Sequence, residues 1–319
     1  MLAAEINRDD RPDLITVATP NATHLEITKG FLAAGITMLC EKPMTMLVKQ
    51  GEEIVKIARA KGRICAVNYG YTGYALVRHM WAMAARGALG QVRRVVAEFA
   101  HGHHANAADM DNPRLRWRYD PAQFADCGIH ALHMASFVTG QDVAKRSADF
   151  GSCIPARVLA DDAMVNFRIG GGPDHQIVGR LWTSSVALGR QRGLTNQVFG
   201  ETGGLRWAQE QPNQLYWIPL GGRVQIIEPG EGNVSPEADR ASRVTVGHAE
   251  GIPMAFGNNY SDLAGAIRAQ QAGRAVNPAA NLYPKAEDGL RSMAAVHAAV
   301  ASARANRVWT DARPPMFSG

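Results

Sequence analysis

DLITVATPNATHLEITKGFLAAGITMLCEKPMT, running from Asp13 to Thr45, carries the pattern that decides the fold of the first part of the chain. Leu14 to Ala18 (LITVA) is a continuous apolar run rich in β-branched residues, as expected for a parallel strand covered on both faces. Thr19, Pro20 and Asn21 break the run, and Asn21 is expected to cap a helix that extends to Ala34 and stops at Gly35. Ile36 to Cys40 reads as the next strand, ended by Glu41, Lys42 and Pro43. Outward from there, a helix is expected from Thr45 to Lys61, and a third strand from Ile64 to Val67. Strand, helix, strand, helix, strand predicts a doubly wound parallel sheet.

Beyond Gly73 the pattern changes. A helix (Tyr74 to Arg86) precedes a strand (Val92 to Ala100), a polar loop and a short helix from Gly128 to Val138. From Asp162 to Ile227, strand-like stretches alternate with glycine turns at Gly170–Gly172, Gly203–Gly204 and Gly221–Gly222, which predicts a large, mostly antiparallel sheet. Two helices close the chain, Tyr260 to Ala272 and Lys285 to Asn306. The expected organisation is a parallel-sheet domain over residues 1–70 and an α+β domain over residues 71–319. Gly70, Tyr71, Thr72 and Gly73 lie between a strand and a helix, where a phosphate loop could sit. The first glycine of GxGxxG is missing there and the tyrosines are bulky, so the segment reads as the turn joining the two domains.

The 319 residues are 46% hydrophobic and 20% charged, which fits a globular protein rather than a disordered one. The formal net charge is +5, spread without long basic runs, which argues against nucleic-acid binding. Cys40, Cys65, Cys127 and Cys153 are far apart in predominantly apolar stretches, matching neither a zinc knuckle nor a disulfide framework. They read as reduced, buried thiols in a cytoplasmic protein. No secretory signal or long apolar span is apparent, so no membrane association is expected.

Ligands of open parallel sheets bind beyond the carboxyl ends of the strands. Thr19 to His24 and Glu41 to Pro43 lie there. A lysine facing such a crevice loses solvent, and Lys42 is expected to be tuned in that way. In ADCGIHALHMASFV, Asp126, His130 and His133 are spaced i, i+4 and i+7, which places them on one face of a helix. A carboxylate one turn from an imidazole suits acid–base chemistry, with the carboxylate orienting and charging the histidine. A helix cap at Asp126 with a solvated histidine is the plainer alternative. A metal site is the other, since His101, His103 and His104 lie upstream; their spacing relative to the helix is not that of a metal motif, and no metal is expected.

The quoted stretch resembles the nucleotide-domain core of the Gfo/Idh/MocA family, the glucose–fructose oxidoreductase and inositol dehydrogenase relatives. The ATPN-x-x-H turn and the EKP turn, separated by one βα unit, carry the resemblance. GALG at Gly87 to Gly90, WRYDP at Trp117 to Pro121, D-x-G-x-H at Asp126 to His130 and GHAEG at Gly247 to Gly251 extend it over nearly the whole chain. The resemblance implies an NAD- or NADP-dependent oxidoreductase of carbohydrate metabolism, moving a hydride between a sugar or cyclitol carbinol carbon and the nicotinamide. Lys42 is similar to the family's catalytic lysine, and Asp126 with His130 to its aspartate–histidine pair, His130 being the proton acceptor. Thr19, Pro20, Asn21, His24, Glu41, Lys42, Asn68, Trp117 and Arg118 are implied to line the cofactor. Tyr71, His133, Arg190 and His248 are assigned to the substrate pocket. A homodimer or homotetramer associating through the outer face of the large sheet is also implied.

The chain departs from the family pattern in two places. Met1 to Arg11 leads directly into what is expected to be the fourth strand of the nucleotide domain, without the GxGxxG loop. The expectation is a partial Rossmann sheet lacking its first strands, with the Leu14 to Ala18 strand exposed at an edge and the phosphate grip absent. An inactive, sugar-binding or regulatory derivative is the alternative that follows. Relatives also carry a glycine pair where this chain has Gln123, Phe124 and Ala125, which shifts the segment leading into Asp126.

Overall fold

The computed structural model describes residues 8–106, 124–155, 157, 159–170, 176–230 and 232–317. Three parallel strands, β1 (Leu14–Val17), β2 (Thr37–Cys40) and β3 (Cys65–Val67), form a sheet in the order β1-β2-β3. Helices α1 (His24–Ala33) and α2 (Val48–Ala60) connect them, as the strand–helix alternation predicts. All four residues of β2 are buried because both faces of the sheet are covered. Met38 and Cys40 share one cluster with Phe31, Leu32, Ile54 and Val55 from α1 and α2. Leu39, pointing the other way, joins Ala66 beneath residues from the far end of the chain. β1 lies at the edge of these described strands, with Thr16 exposed and its hydroxyl 3.0 Å from that of Tyr260.

The second sheet contains nine strands. They are β4 (Val92–Ala100), β5 (Val143–Gly151), β6 (Asp162–Ile169), β7 (Ile177–Ser184), β8 (Gly193–Gly200), β9 (Gly203–Ala208), β10 (Leu215–Pro219), β11 (Gln225–Ile227) and β12 (Thr310–Asp311). The order β11-β10-β9-β8-β4-β7-β6-β5-β12 is antiparallel except for the β4–β7 pair. Its inner face packs against α3 (Ala75–Ala85), α4 (Ile129–Thr139) and α7 (Ala286–Arg304). The opposite face leaves Met164, Phe199 and Ile218 exposed. A short helix, α5 (Pro236–Asp239), and the long α6 (Ile252–Gln271) complete the described helices.

The chain's end returns to the first sheet. Leu263, Ala266 and Ile267 of α6, with Tyr283, cover Leu39 and Ala66. The Val67 amide donates to the Pro284 carbonyl at 2.9 Å, and Ala66 bridges Lys285. Burial beneath late segments, rather than local sequence, therefore completes the second layer over the parallel strands.

Several local expectations are corrected. Asn21 lies inside a single 3₁₀ turn (Asn21–Thr23) and caps nothing; the Thr23 hydroxyl instead donates to the Pro20 carbonyl at 2.8 Å. α6 begins at Ile252, eight residues before the expected Tyr260, because its polar residues turn inward: Asn258 donates to the carbonyls of Gly73 (2.9 Å) and Ala241 (2.7 Å). Cys40, Cys65 and Cys127 are buried thiols outside any disulfide, whereas Cys153 is exposed, its amide bonded to Asp161. No helix among the described residues is long and apolar enough to cross a membrane.

Candidate active site

The site grows from the carboxyl end of β2. Cys40 is fully buried at the strand's end, so the residues that follow emerge at the sheet's rim: Glu41, Lys42 and then Pro43 across a cis peptide bond. His24, buried at the start of α1, ties this turn to its neighbour. Its Nδ1 lies 2.9 Å from the Pro43 carbonyl and its Nε2 2.9 Å from the Thr19 carbonyl. Beyond β3, Asn68 donates through Nδ2 to Glu41 Oε1 at 2.5 Å, while Glu41 Oε2 accepts from the Lys42 amide at 3.2 Å. Three separate turns are thus locked into one polar rim. Thr19 and Pro20 are exposed on it and Asn21 is half-buried.

Lys42 reaches across to the second part of the molecule. Its Nζ donates to Asp126 Oδ1 at 2.6 Å and to the Asp126 carbonyl at 2.8 Å, with 16% and 20% of the two side chains exposed. The solvent loss expected around Lys42 is present, but it comes with a carboxylate partner. A double contact to one residue fixes the ammonium's position more tightly than a single surface ion pair does.

Asp126 sits in a π turn (Phe124–Gly128) that runs directly into α4. Such turns interrupt the regular 3.6-residue period and recur at functional sites. The interruption means that Asp126, His130 and His133 are not three residues on one regular helical face. His130 lies in an aromatic box, its ring centroid 4.9 Å from Tyr71, 5.8 Å from Tyr69 and 5.9 Å from Phe99. Burial, and next the Lys42 charge, push its imidazole well below the ordinary histidine range, against the opposing pull of Asp126. His130 Nδ1 is buried without a hydrogen-bond partner among the described residues. A neutral imidazole with an unused nitrogen, beside a lysine–aspartate pair, can accept a proton from a hydroxyl placed between them.

Tyr71 joins this site, and its position is enforced by the 3₁₀ turn Gly70–Gly73. A Cβ at Gly73 would meet the Ala255 carbonyl at 1.8 Å, and one at Gly70 would meet the Phe256 ring at 2.5 Å. The turn is sealed against α6, which agrees with its reading as a joint rather than a phosphate loop. Beneath it, the buried Arg78 donates to the Thr72 carbonyl at 3.0 Å and pairs with Asp262 at 2.7 Å.

The other expected residues lie elsewhere. His133 stacks on Tyr69 (centroids 3.9 Å apart, planes 8° apart) and lines a cavity of about 820 Å³ with Trp81, Asp288 and Arg291. That cavity does not contain Lys42, Asp126 or His130. Arg190 pairs with Glu98 at 3.1 Å instead of standing free in the pocket. His248 is exposed on a loop, its Nδ1 3.2 Å from the Thr245 carbonyl. Trp117 and Arg118 lie outside the described residues, as do Gly171 and Gly172.

The sequence does not single out Phe99 or Arg192, and it offers His101 only as a possible metal ligand. His101 Nε2 lies 3.5 Å from Cys127 Sγ, directly behind Asp126, and burial with the neighbouring His103 charge pushes it down to about 4. The alternation of β4 could have singled out Phe99; nothing in the sequence connects Arg192 with α4. Among the described residues no three His, Cys, Asp or Glu side chains converge into a metal cluster.

Known proteins resemble this chain along most of its length. Residues 3–69 match the family model described as an oxidoreductase family with an NAD-binding Rossmann fold, and residues 77–206 match the GFO/IDH/MocA C-terminal domain. An oxidoreductase of Bacillus subtilis, YfiI, is 30% identical over 98% of this chain and 80% of its own length. D-glucoside 3-dehydrogenase of Escherichia coli is 24% identical over 88% of this chain and 79% of its own. An inositol dehydrogenase homologue from Azotobacter vinelandii, solved with NAD+, superposes with a TM-score of 0.88 and 33% identity, covering 97% of this chain and 81% of that one. The same homologue has been solved with NADH and myo-inositol (TM-score 0.87, 33% identity, coverage 97% and 80%). Both halves of the chain, and the parallel and antiparallel sheets they build, place it in the Gfo/Idh/MocA family of NAD-binding oxidoreductases.

Proposed function

We propose that the protein oxidises a secondary hydroxyl of a sugar or cyclitol, with NAD or NADP as the other reactant. The observation that carries this reading is the buried, unpartnered Nδ1 of His130 beside the Lys42–Asp126 pair. The myo-inositol complex of the Azotobacter homologue and the D-glucoside 3-dehydrogenase of E. coli support the substrate class. The rim residues suit the nicotinamide end of the cofactor: the Thr19 hydroxyl and the Glu41–Asn68 pair complement ribose hydroxyls and a carboxamide. When bound, the nicotinamide supplies the hydride acceptor.

This chain's residues supply the rest. Lys42, held by Oδ1 and the main-chain carbonyl of Asp126, directs an N–H at the reacting oxygen and stabilises negative charge growing there. His130 takes the hydroxyl proton. Its lowered basicity keeps it unprotonated at neutral pH, and the Asp126 charge favours the imidazolium once the proton arrives. Tyr71, Tyr69 and Phe99 pack around the imidazole, limiting its rotation and excluding water. The two sheets supply the two halves of the site, so residues 1–70 and 71–319 act as cofactor-side and substrate-side portions. The open outer face of the large sheet, with Met164, Phe199 and Ile218 exposed, supports association of copies into a homodimer or homotetramer.

The test is titration of the purified chain with NADH and NADPH, followed by fluorescence, then turnover with a panel of hexoses and inositols. Binding of one nucleotide and reduction of its oxidised form by at least one polyol are expected. Failure of both nucleotides to bind at millimolar concentration would contradict the reading.

A further inference from the structure

We propose that Arg192 is a specificity-determining residue and that the substrate carries an anionic group, a carboxylate or a phosphate, on its polyol ring. This rests on the oxidoreductase reading above and names the substrate class more narrowly.

The strand register locates Arg192. β4 and β8 pair antiparallel, with Phe99 opposite Leu194 and Ala100 opposite Gly193. Both Phe99 and Leu194 are buried on the face that looks onto α4, and the Phe99 ring lies 5.9 Å from both Tyr71 and His130. Arg192 immediately precedes β8, in a bend where the Leu194 amide donates to the Arg192 carbonyl at 2.7 Å, which sets it beside the end of β4 at His101. Its main-chain neighbours agree: the Gly102 amide donates to the Arg190 carbonyl at 3.1 Å, and a ring nitrogen of His103 lies 3.0 Å from the Gln191 carbonyl. The segment from Arg190 to Arg192 therefore runs alongside His101 to His103, immediately behind Asp126 and Cys127. The effects on three separate groups agree with this placement, since the Arg192 charge bears on Tyr71, His101 and His130.

Charge bookkeeping then points to a ligand. Lys42 is matched by Asp126, Arg190 by Glu98 and Arg157 by Asp161. Arg192 is exposed and, among the described residues, has neither an ion pair nor a side-chain hydrogen bond. A planar guanidinium with no partner among the described residues, whose charge reaches Tyr71 and His130, fits a carboxylate or phosphate bidentately and distinguishes it from a neutral hydroxymethyl group. The equivalent pull on a neutral hexose is only that of an exposed donor already satisfied by water.

D-Glucuronate, D-glucose 6-phosphate and D-glucose test this as three matched probes. Binding is measured by calorimetry and turnover separately, with the wild-type chain, Arg192→Gln and Arg192→Lys. One anionic sugar is expected to bind at least about tenfold more tightly than glucose. That ratio should fall to near one in Arg192→Gln, be retained in part by Arg192→Lys, and shrink as salt rises. Which anionic probe carries the advantage tells carboxylate from phosphate. If neither anionic sugar binds better than glucose, or the advantage survives in Arg192→Gln, the proposal is overturned. Absence of turnover with every polyol, whatever the binding ratio, would instead count against the oxidoreductase reading.

Discussion

α4 carries two histidines, three residues apart, whose neighbours give them opposite meaning. His130 turns toward Tyr71, Phe99 and the Lys42–Asp126 pair, and its Nδ1 has no hydrogen-bond partner among the described residues. His133, one turn later, lies flat against Tyr69 and looks toward Asp288 and Arg291 of α7. Both imidazoles are pushed down mainly by burial. Residue type, helix and depressed basicity are shared, so none of these identifies a proton acceptor. What separates the two is the company: a lysine arriving from the carboxyl end of a parallel strand on one side, a helix packing contact on the other.

The comparison can be broken most sharply at Lys42. Lys42→Ala removes the donor that reaches Oδ1 and the main-chain carbonyl of Asp126, and kcat/KM for the best polyol substrate is expected to fall by about 10³-fold or more. Retained activity in steady-state assays would remove Lys42 from the chemistry and, with it, the reason for preferring the His130 face.

The His133 face is predicted to show itself in stability instead. Burial lowers His133 to about 4. A histidine whose folded value lies below its unfolded value contributes stability that is intact above about pH 6.5 and is lost as the pH falls toward the folded value. The loss between pH 6.5 and 4 is on the order of 3 kcal/mol, from roughly 1.4 kcal/mol per unit. Urea unfolding across this window should therefore show a shallower acid loss for His133→Phe than for the wild-type chain. Equal slopes would mean that His133 is not held neutral by its packing.

Much of the fold was readable because local pattern and final environment coincide. The runs at Leu14, Ile36 and Ile64 became β1, β2 and β3, and the EKP turn emerged at the rim where the strand–helix alternation put it. α6 starts earlier than its pattern suggests because Asn258 and Asn259 look like loop residues, yet both are buried and spend their polarity on Gly73 and Arg78. Polar composition alone cannot distinguish solvent from a buried network. The site residues divided in the same way. Lys42, Asp126, His130 and Tyr71 came together, since their motifs fix where each strand or helix ends. His133, Arg190 and His248 went elsewhere, because a π turn, an ion pair with Glu98 and a surface loop are decided by contacts distant in sequence. The same long-range register hid Arg192.

The most direct measurement is the kcat/KM of His130→Gln and His133→Gln, determined side by side with the same polyol and nucleotide. A loss of about 10²-fold or more for His130→Gln, with His133→Gln within a few fold of wild type, is the predicted result. Comparable losses in both variants, or a larger loss at His133, would contradict the assignment of the chemistry to the face of α4 that meets Lys42.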